Sequence, residues 1–329
     1  MEKQKPPLYF ELGDDFLVSF HSTLPERNFG YSAKINLRNL GPSFSNGPTN
    51  LVSFSPEAPH SFPTLPPGGG HLKSVIKSNL QKCVRRQLAS KAVRSAYFLL
   101  GISTFEALRR LIIIILEDTL PVPSLPTLVW LMMASSKTYR LSDTQVEWVL
   151  GVVYSVCTKV HYRLPSTSKL PIGFIGDNSI ESQVLWSMAF RRAYGGMKGD
   201  QEMMENLGGT WYKIFSERLG VEWDHWLELK KIKVEPVDLA SIRKFEPGKV
   251  FISASIDQHC QPQIISYLRK IYPEIPEIEI KGAIWMCRSR LNKRPKLIGS
   301  EDYPPEKLVR VWDIIRESVE EISRKVIGL

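Results

Sequence analysis

The chain of 329 residues carries 43 Lys and Arg against 34 Asp and Glu, a formal charge of +9, with 43% apolar and 10% aromatic residues. At roughly 100–200 residues per domain this length predicts two domains, and so globular a mix excludes a chain disordered throughout. The positive excess favours a polyanionic partner.

Cys83, Cys157, Cys260 and Cys287 are spaced too far apart for a zinc knuckle or a dense disulfide framework. They point to reduced thiols in an intracellular compartment, cytoplasmic or nuclear. The first residues, with Glu2, Glu11, Asp14 and Asp15, show neither a secretory nor a transit signal. Apolar runs such as Leu111 to Leu116 fall far short of the ~20 residues of a membrane helix, so a soluble protein without a membrane partner is expected.

Residues 1–70 read as a Pro/Gly/Ser-rich arm. Leu8 to Leu12 and Phe16 to Phe20, around Gly13-Asp14-Asp15, suggest a small hairpin, and the stretch from about Gly41 to Gly70 reads as a loose arm. From His71 the apolar period becomes helical, opening a basic helical domain over residues 71–164. Leu72, Val75, Ile76, Leu80, Cys83 and Val84 form one stripe, and Lys82, Arg85 and Arg86 are assigned to the opposite side. Ser103-Thr104-Phe105-Glu106 is a capping box that opens an isoleucine-rich helix apolar nearly all round, with a strand as the other reading.

A further helix opens at Ser142-Asp143-Thr144-Gln145, and a Pro/Ser/Gly-rich connector, Pro165 to Gly176, separates a second mainly helical domain over residues 177–329. That domain begins with a helix from Asn178-Ser179-Ile180-Glu181 to Tyr194, stopped by Gly195-Gly196. Next come a helix capped by Asp200 and hinged at Gly208-Gly209, and a short helix with Trp223 and Trp226. Lys249 to Ile256, β-branched and preceded by Pro247-Gly248, reads as the clearest strand. Helices to Tyr272, from Pro276 to about Asn292, and over residues 305–327 complete the chain; the last carries the apolar stripe Leu308, Val311, Trp312, Ile315, Val319, Ile322 and Val326. The expected fold is mainly α: a multi-helix globular protein with an irregular N-terminal arm and a small β element near residues 249–256.

Charge is unevenly placed. Between Glu57 and Glu106 there is no acidic residue, whereas Lys73, Lys77, Lys82, Arg85, Arg86, Lys91 and Arg94 supply seven cations. Such a run is read as contacting phosphates ahead of being a solvated face. Helical spacing after Pro276 puts Lys281, Trp285, Arg288 and Asn292 on one stripe, extended by Arg290, Lys293, Arg294 and Lys296. An aromatic among cations suits stacking on a base while the charges hold its phosphates; a tryptophan sealing the core edge is the equal alternative.

For chemistry the candidates are the Asp257, His259 and Cys260 turn, at an expected helix N-terminus, and the carboxylates Glu117 and Asp118. Asp257 as a cap and Cys260 as core filler is the favoured reading of the former. Glu106, Arg110 and Glu117 share a face and read first as an ion-pair ladder. Gly195-Gly196-Met197-Lys198-Gly199-Asp200 has the composition of a phosphate-cradling turn. It has neither the GxxxxGK(S/T) nor the GxGxxG order and follows no strand.

The run Gln81-Lys82-Cys83-Val84-Arg85-Arg86, then Ala92, Leu99-Leu100, Arg109-Arg110-Leu111 and Glu117-Asp118, resembles the helical region after the ATPase core in clamp-loader-like ATPases of the MgsA/RarA type. The resemblance covers about residues 72–134 and implies an all-helical, DNA-associated oligomerisation module. No Walker A lysine motif precedes it, so ATPase activity is not carried over.

The expectation is a nucleic-acid-binding accessory protein for replication, repair or nucleoprotein assembly, without catalysis of its own and without a cofactor, with DNA favoured over RNA. One alternative is a nuclease or base-processing enzyme using the Asp257, His259 and Cys260 turn or Glu117 and Asp118, the one case in which Mg²⁺ is expected. The other is a structural assembly protein with an acidic partner, forming homo-oligomers or docking a helix through residues 305–327.

Overall fold

The alternation of Phe10 and Leu12 with polar neighbours builds strand β1 (Leu8–Leu12), which pairs antiparallel with β2 (Val18–His21) across the Gly13 turn. The structure, a computed structural model, describes residues 8–26, 28–37, 48–53, 58–64, 69–159, 178–256, 261–289 and 305–327. The expected hairpin is present. It belongs to a larger element: β3 (Tyr31–Ile35) and β4 (Thr49–Ser53) join it in a four-stranded sheet of order β2-β1-β4-β3, with β4 parallel to β1. β4 lies inside the stretch read as a loose arm. Its apolar residues Leu51 and Val52 are too few to announce a strand locally; they are buried because Leu51 lies in register with Phe10 on one side and Ala33 on the other.

The remainder is mainly α. Twelve helices are present among the described residues: α1 (Gly69–Arg85), α2 (Ala89–Ile102), α3 (Thr104–Asp118), α4 (Leu125–Ser135), α5 (Asp143–Lys159), α6 (Ile180–Ala193), α7 (Lys198–Glu217), α8 (Val221–Lys230), α9 (Pro247–Val250), α10 (Gln261–Ile271), α11 (Glu277–Ile284) and α12 (Glu306–Ile327). The Ser103 hydroxyl accepts from the Glu106 amide and opens α3. At α5 the box is reciprocal: Ser142 Oγ accepts from Gln145 N, and Gln145 Oε1 accepts from Ser142 N. Ile112 to Ile115 are all buried in α3, so the isoleucine run is helical.

The chain divides into two units by its own contacts. The first contains residues 1–61, 103–152 and 160–237. Its sheet lies on α4 and α6, where Phe10 stacks on Phe20 at 4.3 Å and both meet Phe190 edge-on. Trp130 of α4, fully buried, donates from Nε1 to the Phe10 carbonyl at 2.8 Å. α7 packs on α6 and α8, with Trp211, Phe215 and Trp226 in one aromatic cluster.

α7 runs unbroken through Gly208-Gly209, against the expected hinge. Each glycine costs a helix ~1 kcal/mol relative to Ala, but both are buried, and anchoring Trp211 and Phe215 in the core outweighs that cost. The helix also starts before Asp200, with Met197 at the cap.

The second unit contains residues 62–102, 153–159 and 238–329, with α1 packed on α2 and α12 on α10 and α11. The strand expected over Lys249 to Ile256 is absent. The segment forms the short helix α9 and a 3₁₀ turn, Ser253–Ile256. Its main chain pairs with side chains instead of a neighbouring strand. Asn79 accepts from Ile252 N at 2.9 Å and donates to Val250 O at 2.8 Å, so one buried amide takes the place of a strand edge.

Candidate functional site

The cations expected to meet phosphate all lie in sequence belonging to the second unit, and the structure distributes them over three environments. Lys82 is buried, and its ammonium donates to the Ala254 carbonyl. This corrects the assignment of Lys82 to the solvated side of α1. It follows Val75 by seven residues, two helical turns, and therefore lies at the edge of the apolar stripe. Arg288 is also buried, with Nη1 3.3 Å from Glu320 and Nη2 donating to Ser323 at 3.1 Å. Here the cause is a π-helical turn, Trp285–Ser289, that follows α11. Widening the helix by a residue rotates Arg288 off the Lys281–Trp285 stripe and onto α12.

A second set joins the main chain from the surface. Lys91 donates to the carbonyls of Gly248 and Phe251 at 2.5 and 2.8 Å, Arg94 to Ser241 at 2.9 Å and Arg86 to Arg288 at 2.5 Å. These contacts explain much of the basic run. The segment after residue 238 presents carbonyls with few strand or helix partners, and cations of α1 and α2 satisfy them. A third set, Lys73, Lys77 and Arg85 on α1, is partly exposed. Lys281 is exposed and pairs with Glu277 at 2.5 Å, and Trp285 leaves 48% of its surface open. Arg290, Lys293, Arg294 and Lys296 lie outside the described residues.

Of the catalytic candidates, Glu117 and Asp118 lie among the described residues. Asp257, His259 and Cys260 lie outside the described residues. Glu117 is exposed whereas Asp118 is buried at 2%, so their carboxyl groups leave the end of α3 in different directions. No group of three His, Cys, Asp or Glu side chains suited to a metal is present among the described residues. Of the apolar stripe of α12, Val311, Ile315 and Val319 are buried, Leu308, Trp312 and Ile322 are half-buried and Val326 is exposed. No helix among the described residues is long and apolar enough to cross a membrane.

Sequence reasoning missed the most unusual charged group, Arg191 of α6, which has no exposed surface. Its Nη1 donates to the Gly195 carbonyl at 2.7 Å, while Nε and Nη2 are buried without a hydrogen-bond partner. Burial, and after it the charge of Arg109, bring its pKa down to about 10, with Asp200 acting in the opposite sense. Arg191 ends an amphipathic helix in an Arg191-Arg192 pair that reads as ordinary helix C-terminal charge. Only the fold shows that one member turns inward while Arg192 pairs with Glu205 at 3.0 Å.

No family model, curated protein or solved structure matches the chain.

Proposed function

We propose that the chain binds nucleic acid as an accessory factor, through the surface of the second unit where the C-terminal end of α1 meets the π-helical turn. The observation that carries this reading is the Arg86 to Arg288 carbonyl bond, which joins two cationic stretches two hundred residues apart in sequence. Beside that junction Trp285 is half exposed, and Arg85 is partly exposed on the last turn of α1. A tryptophan next to cations stacks an unpaired base while phosphates lie over the charges. Lys82 and Arg288 drop out as direct contacts and become the struts that hold this surface. The MgsA/RarA-like run, covering the same helix α1, supports a DNA-associated role.

The test is binding of labelled single-stranded and duplex oligonucleotides over a salt series. Each phosphate contact contributes a slope of about −0.7 to −0.9 in log K against log salt. Trp285→Ala is expected to weaken single-strand binding by about 1–3 kcal/mol, and Lys73→Ala, Lys77→Ala and Arg85→Ala to flatten the slope. Salt-independent binding, or binding indifferent to all four changes, removes the reading.

A further inference from the structure

We propose that the turn from Gly195 to Asp200 in the first unit is a binding site for a phosphate group, held between the guanidinium groups of Arg191 and Arg109 and the first-turn amides of α7. The proposal goes beyond the nucleic-acid reading, since it concerns other residues in the other unit.

Three independent features converge there. First, Arg191 is fully buried and holds two guanidinium donors with no acceptor. Buried donors are almost always satisfied, and a charged one left bare is the exception that needs a cause. Second, a side chain built on Gly196 would place its Cβ 3.1 Å from Arg109 Nη2 and 3.6 and 3.7 Å from the two terminal nitrogens of Arg191. Both guanidinium groups therefore face the same point of the backbone. Gly196, at φ +147, leaves that point free. Third, Gly196 immediately precedes Met197, the N-cap of the 20-residue helix α7, which offers no side-chain acceptor to the first-turn amides. Space beside the turn is open, because a Cβ at Gly195 or at Gly199 would meet nothing within 4 Å.

The charge arithmetic favours an anion. Two arginines oppose one carboxylate, Asp200, which interacts electrostatically with Arg191, leaving one net positive charge. The neighbouring charges are matched among themselves, Arg192 with Glu205 at 3.0 Å and Lys198 with Glu202 at 3.7 Å. Arg109 is partly exposed, and its guanidinium stands 5.9 Å from the Phe105 ring centre, a contact weak enough to let it move. It is the movable wall of the site and Arg191 the fixed one. Planar donor forks on two sides and helix amides on a third match the several oxygens of a tetrahedral phosphate better than a carboxylate or a halide. A monoester phosphate offers three free acceptor oxygens to these donors, whether it comes from a small molecule such as a nucleotide or from the 5′ end of a strand.

The experiment titrates the full chain with inorganic phosphate by calorimetry, then repeats it with Arg109→Gln and Asp200→Asn, checking that each variant keeps the parent's circular dichroism. Saturable binding is expected in the parent, weakened at least tenfold by Arg109→Gln and tightened severalfold by Asp200→Asn, which removes the competing carboxylate. Gly196→Ala is avoided because φ +147 strains any side chain. Competition against phosphate separates the sources. A nucleoside 5′-monophosphate that competes where neither strand does assigns a small molecule. A 5′-phosphorylated oligonucleotide that competes where its 5′-hydroxyl counterpart does not assigns a strand end. Absence of saturable phosphate binding, or affinity unchanged by Arg109→Gln, overturns the proposal. Neither result touches the surface around Trp285, so the two readings fail separately.

Discussion

Asn79→Ala is the sharpest test of how the second unit is held together. Asn79 has no exposed surface, and its amide spans the chain from Val250 O, at 2.8 Å, to Ile252 N, at 2.9 Å, with Ser95 Oγ at 2.7 Å. Truncation removes a donor and an acceptor together and leaves one main-chain carbonyl and one amide unsatisfied. At about 1–3 kcal/mol for each buried polar group left bare, the expected loss is about 2–6 kcal/mol. Ser95→Ala is the control: Asn79 keeps both main-chain bonds, and the expected cost is about 1 kcal/mol.

Hydrogen exchange is the appropriate assay, because a chain of two units need not unfold in one step. At about 1.4 kcal/mol per factor of ten, the Ile252 amide is expected to exchange roughly 30- to 20,000-fold faster in Asn79→Ala. Amides in α3, in the other unit, are expected to keep their protection. Equal effects of Asn79→Ala and Ser95→Ala on Ile252 would refute the claim that one side-chain amide replaces a strand edge.

Two further outcomes follow from buried titratable groups. Burial raises the Glu181 carboxyl, but hydrogen bonds from Lys230 Nζ at 2.8 Å and Trp226 Nε1 at 2.7 Å outweigh it and hold the pKa below the ordinary 4.5. Its contribution is therefore complete above the unfolded value and disappears as pH falls through the lower folded value. Denaturant unfolding of Glu181→Gln is expected to show a smaller loss of stability on acidification than the parent, and an identical acid profile would contradict this. Burial also pushes the Cys83 thiol up to about 12 despite Lys91, Arg86 and Lys82 nearby, so Cys83 is expected to resist alkylation until the protein unfolds. Mass spectrometry locating native-state label on Cys83 would show that its enclosure is wrong.

What the sequence announced was local. Ser103, Ser142 and Ser179 each accept from an amide three residues on, and each marked a helix start that the structure contains. The side-chain period located α1 because Val75, Ile76, Leu80 and Val84 pack on one face whatever lies opposite. The failures have one cause, a partner distant in the chain. Lys249 to Ile256 has strand composition, yet a strand needs a neighbour with free amides and carbonyls, and Asn79 and Lys91 supplied side-chain partners first. β4 shows the converse: its weak local signal became a strand once Phe10 and Ala33 stood on either side of Leu51.

The same contrast governs charge. A cation-rich run was legible as a number, but whether an ammonium faces solvent, a carbonyl or a carboxylate depends on what folds over it. Lys82 met Ala254, more than a hundred and seventy residues away in sequence. The Gly195-Gly196 turn was visible in composition, and the missing ingredient was Arg191, whose inward direction is fixed by the bond from Nη1 to Gly195 O. A buried guanidinium with idle donors is a physical imbalance that no residue pattern displays. It arises because α6 ends just where the turn brings Gly196 back over its own last arginine and against Arg109 of α3. Charge counted along the chain thus overstates the surface of the second unit and overlooks the interior of the first, where two guanidinium groups share one unoccupied backbone position.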